Sequence, residues 1–194
     1  MSVDAIVSTF VPLFVATGAV SLLPTYVAIT AGKSVGYHRR LLVGAILTAF
    51  VVGVVFLFVG KALLKVLGVN VDDFKLAGGV LLLVLSIKEI MSSEKDAGIE
   101  CDPSGAVPLG VPLIVGPAVV TSLIMLSDAY GYLPCLLSFI LNLLIVAVLF
   151  SGSEWVMKLL GLAVVRAAGR VSALLLAAYA IMMIRLGLEA FIRR

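Results

Sequence analysis

The chain has 194 residues, 62% of them hydrophobic and 13% charged, with a mean hydropathy of +1.25 and a formal net charge of +3. No water-soluble core needs that much apolar surface, and the apolar runs are continuous rather than alternating, which excludes a membrane β-barrel. An all-α integral membrane protein remains, since a run of roughly 20 apolar residues crosses a bilayer as one helix.

In chain order the runs predict six spans, at about 5–31, 41–60, 76–92, 107–127, 132–152 and 169–191. The chain reads as a single transmembrane domain over 1–194. The first run follows Asp4 rather than a basic segment and is too long for a signal-peptide core, so it is expected to stay as a span. Its stretch Val15 to Thr25, VATGAVSLLPT, mixes glycine, proline and hydroxyls inside an apolar run. The second span carries Thr48 at mid-depth. Gly78 and Gly79 open the third, where glycines suit close helix packing. Ser92 to Ser104 is the longest polar segment and reads as a loop, with 93–104 a cytoplasmic linker. The fourth span contains PLGVPLIVGPAVVTS, Pro108 to Ser122, with three prolines, two glycines and two adjacent hydroxyls. Asn142 falls in the middle of the fifth span and reads two ways, as interhelical glue or as part of a polar cavity. Trp155 follows that span at the depth where aromatic belts place indoles.

The charge pattern reads as topology, with no nucleic-acid partner. Loops after spans 1, 3 and 5 hold Lys33, Arg39, Arg40, Lys88, Lys95, Lys158, Arg166 and Arg170. Lys61, Lys65, Lys75, Arg185, Arg193 and Arg194 fall at the other side. The positive-inside rule then places both termini outside the cell membrane.

The halves repeat. Phe58 and Gly60 at the end of span 2 match Phe150 and Gly152 at the end of span 5. Lys65-Val-Leu-Gly68 matches Lys158-Leu-Leu-Gly161, Lys75-Leu-Ala-Gly78 matches Arg166-Ala-Ala-Gly169, and Val80 matches Val171. A unit with an odd number of spans inverts its second copy, so 1–92 and 105–194 are expected to form two inverted three-helix repeats, the architecture of many secondary transporters. Gly18 then falls opposite Gly116, and Ala19 opposite Pro117. Both spans are expected to break there, near the midplane. Backbone freed at membrane depth is tolerated only where it is buried in protein or lines a polar cavity. The end of a half-helix suits a carboxylate, because its N–H groups are free and its dipole is positive. The other reading is a pair of kinked helices whose hydroxyls bond back to their own turns.

The stretch VPLGVPLIVGPAVVTSLI resembles the Pro-Leu-x-x-Pro-Leu-hydrophobic-hydrophobic-Gly-Pro-x-x-hydrophobic-Thr segment of the MarC family. FKLAGGVLLLVLSIKEI is similar to that family's third span, and Gly169 to Gly187 to its sixth. The family's first span usually carries Asn or Asp, Pro, a hydrophobe and Gly before a further proline. Here Gly18, Ala19, Val20 and Ser21 stand there, followed by Pro24. The resemblance implies a secondary transporter of glycine, alanine, serine or threonine, coupled to a proton or Na+ gradient. The alternative is a channel or exporter for small neutral solutes.

The expected substrate site comprises Thr17, Gly18, Ser21, Pro24, Thr25, Gly116, Pro117, Ala118, Thr121, Ser122 and Asn142. The substrate carboxylate is expected on backbone N–H groups at Ala118 to Thr121. Enzyme activity is not expected. The one histidine, His38, sits in a basic loop, and no metal-spaced His/Cys cluster or nucleophile–base pair is present. Neither a cofactor nor a metal is implied. The expected partners are the amino acid, the coupling ion and membrane lipid.

Overall fold

A computed structural model describes residues 3–91 and 114–192. Seven helices form from these residues: α1 (Val3–Thr17), α2 (Leu23–Thr30), α3 (Val35–Val66), α4 (Val71–Met91), α5 (Pro117–Tyr130), α6 (Tyr132–Ser151) and α7 (Ser153–Ile192). α3, α6 and α7 are each long and apolar enough to cross a membrane, and α1 and α5 are shorter apolar helices. The protein is an all-α membrane protein. The 93–104 linker and the upstream part of the expected fourth span, 107–113, lie outside the described residues.

The helices outrun the apolar runs that announce them. α3 extends past 41–60 at both ends, because Ser34 caps its start by accepting a hydrogen bond from the Tyr37 N–H. α7 starts at Ser153 rather than near 169. Gly161 is non-helical, so Ser153 to Leu160 is a separate helical segment, and the helix that carries 169–191 begins just after Gly161, a few residues before its apolar part. Gly161 interrupts α7 with φ +76° and ψ +159°, a positive-φ extended conformation that only glycine adopts at little cost. Its sequence match Gly68, in the turn between α3 and α4, has φ +70°.

Packing relies on small residues. The buried face of α3 runs Ala45, Ala49, Gly53, Leu57, Gly60 and Leu64, at three- and four-residue spacing. Gly53 lies directly against the Phe139 ring, and a Cβ on Gly60 would come within 2.5 Å of Ile124. The opposite face, including Leu47, Val51 and Val55, stays exposed as a lipid-facing surface. α4 packs most extensively on α7, where Gly79 abuts Ala180 and Ile184 and Gly187 abuts Asp72 and Leu76. α1 packs on α6 and α3 on α5; α1 also meets α5, α3 meets α6, α4 meets α5, and both α1 and α2 meet α7.

Candidate functional site

The first expected span is two helices. α1 stops at Thr17 because Gly18 turns left-handed at φ +59° and its N–H closes back on the Phe14 carbonyl at 3.3 Å, the geometry of a helix C-terminal cap. The chain turns through Ala19 to Leu22, and Pro24 sits in the first turn of α2. Thr17 is buried, with its hydroxyl on the Leu13 carbonyl at 2.7 Å, so it satisfies its own helix. Pro24 and Thr25 are half-buried.

α5 begins at the edge of the packed interior, with Gly116 half-buried, Pro117 exposed and Ala118 buried. Ile114 and Val115 are buried, Gly116 is the extended N-cap, and Pro117 takes the position where a missing N–H costs nothing. Val119 and Val120 both donate to the Gly116 carbonyl, at 3.1 and 3.2 Å. Ala118 is thus the one N–H of this first turn not directed onto Gly116. The polar face behind it is buried: Thr121 lies directly against Gly78, and Ser122 is 0% exposed. The Ser122 hydroxyl has no hydrogen-bond partner. Tyr179 of α7 lies beside it. Val15 of α1, Leu82 of α4, Ala118 of α5 and Leu176 of α7 pack around this point together with Tyr179. Four helices therefore converge on the start of α5.

Ser21 lies elsewhere. Its hydroxyl is also buried without a partner, but it sits against Gly169, ten residues before Tyr179 on α7. At the helical rise Gly169 and Tyr179 stand roughly 15 Å apart along α7.

Asn142 belongs to a third group. Its amide donates to the Ser138 carbonyl at 2.8 Å and to the Phe10 carbonyl of α1 at 3.4 Å. The Ser138 hydroxyl meets Thr9 at 2.7 Å. This seam joins α1 to α6, so Asn142 acts as interhelical glue, although its side-chain oxygen remains without a partner. Arg185 and Glu189 form an exposed pair at 3.8 Å, away from this interior.

Sequence reasoning missed Tyr179 and the Thr9–Ser138 contact. The available signal for Tyr179 was an aromatic with a polar tip in the interior of a span rather than at its interfacial end. Among the described residues no group of His, Cys, Asp and Glu could hold a metal ion.

The model of the MarC family integral membrane proteins matches residues 3–192. The chain belongs to the MarC family. Among its relatives, the UPF0056 membrane protein YhcE of Escherichia coli is 25% identical over 93% of this chain and 90% of its own. A UPF0056 membrane protein of Archaeoglobus fulgidus is 28% identical over 90% of this chain and 87% of its own. The UPF0056 inner membrane protein YhgN of Escherichia coli is 29% identical over 66% of each chain. No solved structure matches significantly. Membership in a family of integral membrane proteins agrees with the lipid-facing exterior of α3 and its neighbours.

Proposed function

We propose that this MarC-family protein is a secondary transporter of small neutral amino acids, glycine, alanine, serine and threonine, coupled to a proton or Na+ gradient. The observation that carries the reading is the start of α5, a helix N-terminus that passes from the exposed Pro117 to the buried Ala118, with the buried Ser122 hydroxyl one turn further in. An unsatisfied buried hydroxyl is costly unless a ligand or water completes it. A substrate carboxylate there gains the positive end of the α5 dipole, the Ala118 N–H and the Ser122 hydroxyl, with Tyr179 within reach. The neighbours Val15, Leu82 and Leu176 are apolar, which suits a short side chain without charge.

Six spans in two inverted repeats, with both termini outside, complete the proposal. Three reciprocal relations support it. The matched glycines Gly68 and Gly161 both have positive φ. The matched Phe58 and Phe150 each stack on a tyrosine of the other half, Tyr132 at 5.4 Å and Tyr26 at 4.5 Å. The matched Gly78 and Gly169 each seat a hydroxyl residue from the other half's broken span, Thr121 and Ser21.

Counterflow in proteoliposomes tests the transport mode. Unlabelled alanine inside accelerates entry of labelled alanine if the protein is an exchanger. Entry unaffected by preloading identifies a channel instead.

A further inference from the structure

At the end of the molecule opposite Lys61, an open cleft of about 470 Å³ lies between the first turns of α3 and the junction of α6 with α7. Its volume falls in the range of roughly 300–1,000 Å³ typical of small-ligand pockets. The stacked, fully buried rings of Tyr26 and Phe150 form its floor. Arg39, Lys158 and His38 line the cleft as well, and Glu154 is the one carboxylate in the lining. The His38 Nε2–H donates to the Thr30 carbonyl at 2.9 Å, which fixes the ring in place. Lys33 and Arg40 lie close by in sequence and add to the positive field. Trp155 and Val35 line the lip and are 67% and 85% exposed, and Leu159, one turn beyond Trp155, is exposed as well.

Cations and buried aromatic rings in one lining, with the exposed apolar Val35 and Trp155 beside them, suit a ligand with a phosphate head and hydrocarbon chains. We propose that this cleft binds the phosphate headgroup of an anionic phospholipid from the surrounding leaflet. Arg39 and Lys158 take the phosphate. Trp155 and Leu159 border the chains, as basic pockets between transmembrane helices do for anionic lipids. This proposal is independent of the transport reading, because binding is read without substrate.

Trp155 is the chain's single tryptophan, so its fluorescence reports on this cleft alone. The full chain is reconstituted in phosphatidylcholine and titrated with chain-brominated phosphatidylglycerol or chain-brominated phosphatidylcholine. Quenching by the anionic lipid is expected to saturate at a lower mole fraction. R39Q and K158Q are each expected to lose about fivefold of that preference, as for one cation near an anionic surface. K65Q, at the opposite end, keeps it. Equal quenching by both lipids, or a preference surviving in the R39Q/K158Q double variant, overturns the proposal. In a further arm the detergent-solubilised protein receives inorganic phosphate. No change in Trp155 emission at millimolar phosphate is expected, and displacement of the brominated lipid by phosphate would overturn the assignment to lipid in favour of a soluble anion.

Discussion

Gly169 of α7 lies so close to Ser21 that a Cβ there would stand 3.1 Å from the serine hydroxyl oxygen. The turn that breaks the first span is thus held against α7 by the absence of a side chain. Gly169→Ala should push Ser21 aside and lower stability by about 1–3 kcal/mol, the usual cost of overpacking. Gly78→Ala presses on Thr121 in the same way and should do likewise. Thermal unfolding of the two variants in detergent checks this, and a parent-like melting temperature for both would count against the packing.

The positive-φ glycines offer a cleaner test, because at both Gly68 and Gly161 the place a Cβ would take has no neighbouring atom within 4 Å. Alanine there meets no neighbouring atom, only the backbone penalty: about 1–2 kcal/mol for a left-handed residue at Gly68, and about 1–3 kcal/mol at Gly161, whose φ +76° and ψ +159° are open essentially to glycine alone. Gly161→Ala should therefore cost at least as much as Gly68→Ala in denaturant unfolding. A neutral Gly161→Ala would mean that α7 runs straight through this point.

Lys61 clips α3 to the turn after α5. Its ammonium lies 3.1 Å from Asp128, 3.3 Å from the Ser127 carbonyl and 5.2 Å above the Tyr132 ring. Both charges are partly exposed, so the pair itself contributes no more than about 1 kcal/mol. Asp128→Asn should lower stability by less than that in a melting experiment, with a smaller effect at high salt. A loss several times larger would show that the site is shielded from solvent.

Much of the fold was legible in the sequence, because lipid forces continuous apolar runs and glycine has few substitutes where helices touch. Gly18, Gly78, Gly79 and Gly169 announced a break or a close contact, and each has one. The helical segment Ser153 to Leu160 before the Gly161 kink was not legible, because hydropathy marks the lipid-facing length of a helix and this segment is more polar. The site was legible in part. Gly116-Pro117 predicted a helix start, and Ser122 proved to be a buried hydroxyl beside it. The grouping of these residues was not legible, since the level at which Ser21 or Ser122 meets α7 depends on packing angles that no spacing encodes. Tyr179 was missed for the same reason.

The proposed topology rests on the lysine and arginine bias. With cysteines placed singly at Gly36 and at Arg194, a membrane-impermeant maleimide added outside intact cells should label position 194 and spare position 36. Labelling of both from one face would contradict an arrangement with both termini outside and an even number of spans.

Equilibrium binding of labelled alanine to the purified protein tests the site most directly. Each hydrogen bond to a charged group is worth about 1.5–3 kcal/mol, or roughly tenfold to hundredfold in affinity. Ser122→Ala and Thr121→Val should each weaken binding within that range while the variants still fold, and Arg185→Gln should bind like the parent. If Thr121→Val, Ser122→Ala and Ser21→Ala all bind like the parent while Arg185→Gln abolishes binding, the substrate sits at the far end of α7 and not at the start of α5.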